Sequence, residues 1–121
     1  MLASVFGFTA SALVASGAVT YSDIEMFEPV ELADNLSVVA FGVAEDTRCK
    51  NSDLCFENDR LAIAVLVTEN GERRGVEMEL GEKLQLSNGT LQFTASSTPP
   101  TGRWATDFKK YRVSFSFEQN R

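Results

Sequence analysis

From about residue 28 onward, apolar and polar positions in this chain alternate with a period of two. "TLQFTAS" (90–96) sets Leu91, Phe93 and Ala95 on one face against Thr90, Gln92, Thr94 and Ser96 on the other. "YRVSFSFE" (111–118) sets Tyr111, Val113, Phe115 and Phe117 against Arg112, Ser114, Ser116 and Glu118, and "GVEMEL" (75–80) sets Val76, Met78 and Leu80 against Glu77 and Glu79. "KLQL" (83–86) continues the pattern with Leu84 and Leu86. Successive side chains of a strand point to opposite faces, so this alternation predicts strands with one face on a core and one in water. Two runs, "LSVVAFGVA" (36–44) and "LAIAVLV" (61–67), are more continuously apolar and are expected as central strands, buried on both sides or at the centre of the sandwich.

The breaks between runs carry turn chemistry. Asn70-Gly71 and Asn88-Gly89 are hairpin signals, because two-residue turns that match strand twist need positive φ. "LGEK" (80–83) adds a glycine turn, and Pro99-Pro100 cannot continue a ladder, having no backbone donors. The segment "YSDIEMFEPVEL" (21–32) reads as one helical turn before Pro29, followed by a first strand near 29–33. About seven short strands without a helical stripe predict a single all-β domain, an antiparallel sandwich of immunoglobulin-like kind or a small barrel.

Composition narrows the functional classes. In 121 residues, 44% are hydrophobic and 23% charged, the balance of one globular domain. A net charge of −6 opposes nucleic-acid binding, which needs clustered Lys and Arg against phosphates. There is no histidine, which removes the commonest general base and metal ligand. Glu77 and Glu79 sit about 7 Å apart by strand geometry, near a glycosidase separation. They share a flat exposed face that cannot raise the pKa of an acid, so no catalytic residue and no cofactor are expected.

Residues 1–18 form an apolar segment with no charged side chain, rich in small residues, followed by a single domain over 19–121. The segment reads as a secretory signal with cleavage before Ala18 or Val19, although no Lys or Arg precedes it. A retained anchor is the alternative, and only that would bring the chain to a membrane. The expected location is periplasmic or secreted.

Both cysteines lie in "EDTRCKNSDLC" (45–55). A redox pair would have two intervening residues at a helix start, whereas Cys49 and Cys55 have five between strands. Zinc would need about four Cys or His ligands. Asp46, Asp53, Glu57 and Asp59 offer calcium hard oxygens but in no recognised loop spacing, so no metal is assigned. In an exported chain the expectation is a structural disulfide Cys49–Cys55, contributing about 2–2.5 kcal/mol through loop closure.

This loop, followed by an apolar strand, a glycine hairpin, "TLQFTASSTPP" and "KYRVSFSF", resembles a family of small exported bacterial β-proteins, several of them lipid-anchored. Their shared pattern is Asp-Ser-Arg-Cys-Pro, four residues, Cys-Val-Trp-Ala-Gly, then a strand, a proline loop and a closing Tyr-Arg strand. The resemblance spans about residues 30–118 and is carried by Asp46, Arg48, Cys49, Cys55, Pro99 or Pro100, Tyr111 and Arg112. Lys50, Phe56, Glu57, Asn58 and Asp59 depart from it. The members are largely without assigned activity, so the resemblance implies fold and compartment and adds little about mechanism.

Trp104, the one tryptophan, stands in the polar loop "TGRWATDFKK" beside Arg103 and before Phe108, the composition of an interface anchor. The expected function is therefore a non-catalytic binding or accessory module of the bacterial cell envelope. It would contact a protein or another envelope component through loops 45–59 and 97–110, with Arg48, Arg103, Trp104 and Phe108 as contact residues. The alternative is a structural subunit packing through its sheet edges with the N-terminal segment retained.

Overall fold

A computed structural model describes residues 17–48, 60–98 and 108–120. Two antiparallel sheets of four strands face each other across one core. The first sheet runs in the order β1 (Ala18–Glu25), β8 (Arg112–Gln119), β7 (Gly89–Ser96), β6 (Lys83–Gln85). The second runs β2 (Pro29–Ala33), β3 (Leu36–Asp46), β4 (Leu61–Glu69), β5 (Glu72–Glu79). The sheets do not close into a barrel. The second sheet is a simple meander, a different order from the immunoglobulin arrangement, whose sheets interleave distant strands.

The alternating runs form the inner faces. Val38, Ile63, Val65, Val67 and Met78 from the second sheet meet Leu91, Phe93, Val113, Phe115 and Phe117 from the first, all essentially inaccessible. The rings of Phe93 and Phe115 pack with centroids 6.0 Å apart and planes tilted by 45°. Burying a large apolar side chain contributes about 1.5–3 kcal/mol, so these residues dominate the folding energy.

Four expectations are corrected. The stretch 18–25 is a strand paired with β8, not a helical turn. A bulge between Tyr21 and Ile24, with Asp23 at φ 53°, sends both of those side chains toward the core at a spacing of three. That spacing imitates a helical stripe, which is why the period of two fails to show. Strands β3 and β4 are the central strands of their sheet as expected, but they are not buried throughout on both sides: on the outer face Ala62 is covered, Val39 and Leu66 are half-buried and Phe41 is 41% exposed. Ala95 leaves the inner face because a bulge between Phe93 and Ala95 shifts the register, and Leu80, in the turn after β5, is exposed.

The two Asn-Gly pairs play different parts. Asn70 (φ 51°) and Gly71 (φ 85°) both take the left-handed conformation that the β4–β5 hairpin requires. Gly89 does not. It opens β7 where a Cβ would stand 2.3 Å from the Glu118 carbonyl oxygen and 2.8 Å from the Phe117 ring, so its role is close approach of backbones.

Candidate functional site

Strand β3 ends at Asp46, whose carboxylate ties both sheets together at the end of the sandwich from which the two long loops leave. The side chain is only 3% exposed. Its Oδ1 accepts from Arg48 Nε at 2.9 Å and from the Arg48 backbone N–H at 3.3 Å. Its Oδ2 accepts from Arg48 Nη2 at 3.0 Å and from the Tyr111 hydroxyl at 2.5 Å. Arg48 reaches further, donating from Nη1 to the Thr98 carbonyl at 2.9 Å. A bidentate guanidinium–carboxylate pair fixes orientation as well as charge, and a fully engaged buried pair is the kind that holds geometry.

Each loop is also closed at its own base. Thr47 donates its backbone N–H to the Arg60 carbonyl at 2.7 Å, and Arg60 returns its N–H to Thr47 Oγ1 at 3.2 Å, sealing the start and end of the excursion 48–60. The Arg112 N–H donates to Thr98 Oγ1 at 2.8 Å, and Ser96 Oγ donates to the Arg112 carbonyl at 2.7 Å, sealing the excursion 98–111. A 3-10 turn, Phe108–Lys110, leads the second loop back into Tyr111 and β8. Asp46, Arg48, Tyr111 and Thr98 then join one base to the other.

The electrostatics follow from the contacts. Burial pushes the Asp46 carboxyl up, but hydrogen bonds from Arg48 and Tyr111 and the charge of Arg48 outweigh it and hold the group below its usual range. The hydrogen bond to Asp46 raises the Arg48 guanidinium above its ordinary value. Asp46 is thus an ionised structural anchor with its lone pairs engaged, unlike the open oxygen donors a calcium loop presents.

Of the four predicted contact residues, Arg48 lies at the base of the first loop with its guanidinium committed to Asp46 and Thr98. The backbone of Phe108 opens the 3-10 turn. Arg103, Trp104, Cys49 and Cys55 lie outside the described residues, as do Asp53, Glu57, Asp59 and residues 1–16 of the expected signal. The sequence reading missed Tyr111 and Thr98 as partners of the loop. Tyr111 was legible as a core position of the alternation that leads into β8 and as one of the residues carrying the resemblance, and neither pointed to its hydroxyl.

Beside this site, Arg60 gathers Glu45, Glu77 and Glu79 on the outer face of the second sheet, with Nη2 at 3.2 Å from Glu77 and Nε at 3.0 Å from Glu79. Glu77 and Glu79, read from sequence as a merely solvated pair, are therefore bridged by one cation. The outer face of the first sheet carries a shallow polar trough of about 480 Å³ lined by Lys83, Gln85, Thr90, Gln92, Ser116 and Glu118. Gln85 there is consumed internally, donating to the Leu86 and Gly89 carbonyls and accepting from Thr90. Among the described residues no group of three or more His, Cys, Asp or Glu is arranged to hold a metal ion.

Compared with protein-family models, curated proteins and solved structures, the chain matches none.

Proposed function

We propose that this chain is an exported, non-catalytic binding or accessory module of the bacterial cell envelope that engages its partner through loops 45–59 and 97–110. The observation that supports this reading is the shared anchorage of the two loops. Asp46, Arg48, Tyr111 and Thr98 fasten their bases side by side at one end of the sandwich. Adjacent loops held by a rigid sheet scaffold are the usual way a sandwich presents a recognition surface. The absence of histidine and the engagement of Asp46 favour binding over catalysis.

The sheet edges oppose the alternative of edge-to-edge assembly. Strand β1 is bulged at Asp23, β2 has five residues and starts at Pro29, β6 has three and starts at Lys83, and β5 carries Glu72, Arg73, Arg74, Glu77 and Glu79. Bulges, prolines, short strands and charges are the devices that keep edges from pairing.

Affinity capture from the native envelope tests the proposal. The wild-type chain is expected to recover a partner that Trp104→Ala and Arg103→Ala lose, while Thr20→Ala, an exposed change within β1, retains it. Recovery of the same partner at equal yield by all of these variants sinks the loop-surface reading.

A further inference from the structure

We propose that two copies of this chain associate face to face through the outer surface of the β2–β5 sheet, about a twofold axis perpendicular to the strands. The inner face of that sheet is core, but its outer face is not uniformly polar. One cross-strand rung, Pro29–Val39–Leu66–Gly75, runs across all four strands with only apolar or small residues. Phe41 stands beside it, 41% exposed, with its ring against Gly75 at 3.9 Å from where a Cβ would lie. A phenylalanine half in water on the middle of a sheet is a position that gains from being covered.

Charge decides what covers it. Toward the loop end, the face carries Ala64 and Glu77 on the next rung, then Ala62 with Glu45 and Glu79 on the one beyond. Arg60 alone neutralises those three carboxylates, leaving an excess of negative charge. On the other side of the apolar rung come Glu31, Ser37, Thr68 and Arg73, the acid at one edge of the sheet and the base at the other. Arg73 makes no ion pair among the described residues. Along β5 the outward residues therefore read Glu79, Glu77, Gly75, Arg73: acid, acid, neutral, base.

Along β5 that order is self-complementary when the strand lies antiparallel on its own copy. A twofold axis lying along the Pro29–Gly75 rung keeps each strand opposite its own copy and reverses the strand direction. Arg73 then faces Glu77 of the second copy, Glu77 faces its Arg73, and Leu66 and Val39 meet themselves on the axis. The other face-to-face twofold, parallel to the strands, sets β5 over β2, so that Arg73 meets Glu31 of the second copy instead of Glu77 and the acidic ends of both copies lie at one level. Isologous contacts of this kind pair residue i with j and j with i, and sheets stack about 10 Å apart.

The strands leave a contact of roughly 16 Å along the chain and 19 Å across it, about 300 Å² per copy and well below the standard interface, so the dimer is weak and concentration-dependent. Its geometry sends the two loop ends to opposite poles. Each copy keeps its loop surface open, and the pair presents two such surfaces.

Sedimentation equilibrium of the full-length protein over about 1 μM to 1 mM tests this, because interfaces of this size associate in that range. A reversible monomer–dimer equilibrium that weakens with added salt is expected. Arg73→Glu and Glu77→Arg should each raise the dissociation constant about tenfold or more, and the double variant should recover near wild-type association, since each swap turns two attractive pairs repulsive. Phe41→Asp, at an exposed site that leaves the core intact, should give monomers with an unchanged circular dichroism spectrum. A wild-type chain that stays monomeric throughout overturns the proposal. So does a dimer indifferent to both Arg73→Glu and Phe41→Asp, which points to another surface or to a foreign protein as the occupant. Failure of the double charge swap to restore association overturns the proposed axis.

Discussion

The Tyr111 hydroxyl donates to Asp46 Oδ2 at 2.5 Å across 65 residues of sequence, and through that contact the last strand of the first sheet holds the end of the longest strand of the second. A matching tie occupies the opposite pole, where Glu69 at the end of β4 accepts from the Ser87 hydroxyl at 2.6 Å and its N–H at 2.9 Å. One carboxylate at each end of the sandwich thus crosses from sheet to sheet.

Tyr111→Phe removes the donor while keeping the buried ring. A hydrogen bond to a charged group contributes about 1.5–3 kcal/mol, so a melting-temperature loss of roughly 6–24 °C is expected for a domain of this size. Asp46→Ala should cost more, because it leaves the Arg48 guanidinium and the Tyr111 hydroxyl without their acceptor, about 3–5 kcal/mol for breaking a buried pair. Thermal denaturation followed by circular dichroism measures both. A Tyr111→Phe protein as stable as wild type would show that the contact is energetically idle.

Acid should dismantle the clasp with a definite sign. The folded Asp46 carboxyl titrates below its unfolded value, so its contribution is fully present above about pH 4 and is lost as pH falls through the lower, folded value. Urea midpoints of wild type and Asp46→Asn, compared from pH 7 to pH 2, should converge as the pH drops. A constant gap across that range contradicts the assignment.

Gly89→Ala and Gly75→Ala are expected to behave oppositely. At Gly89 the added methyl meets backbone at 2.3 Å, and relieving that overlap should cost about 1–3 kcal/mol or more. At Gly75 the only neighbour is the Phe41 ring at 3.9 Å, an ordinary contact, and the change should stabilise by about 0.4–1 kcal/mol through the unfolded chain. Chemical denaturation of the pair in parallel separates the two cases.

Arg60→Ala leaves Glu45, Glu77 and Glu79 converging without their cation. At this exposed site the effect should be small, but larger in low salt than in 1 M salt because screening relieves the repulsion. Denaturant midpoints at the two ionic strengths report it, and a salt-independent loss would assign Arg60 a packing role over Ala62 instead.

The alternation of "YRVSFSFE", "TLQFTAS" and "GVEMEL" by itself determined the class of fold, because a strand between core and water has no other way to satisfy both. The Asn70-Gly71 turn was equally local, since left-handed φ at two successive positions is a demand that few residue pairs meet. What the sequence could not carry were the features that depend on a neighbour distant along the chain. The bulge at Asp23 turned a strand into an apparent helical spacing because β8, and the Ser114 hydroxyl that accepts the Asp23 N–H, lie 91 residues away. Gly89 read as a turn glycine until the approach of Glu118 gave it another reason. Asp46 and Tyr111 each looked ordinary, a loop acid and a core aromatic. Only packing of one sheet on the other buried the carboxylate, and burial is what made its partners obligatory.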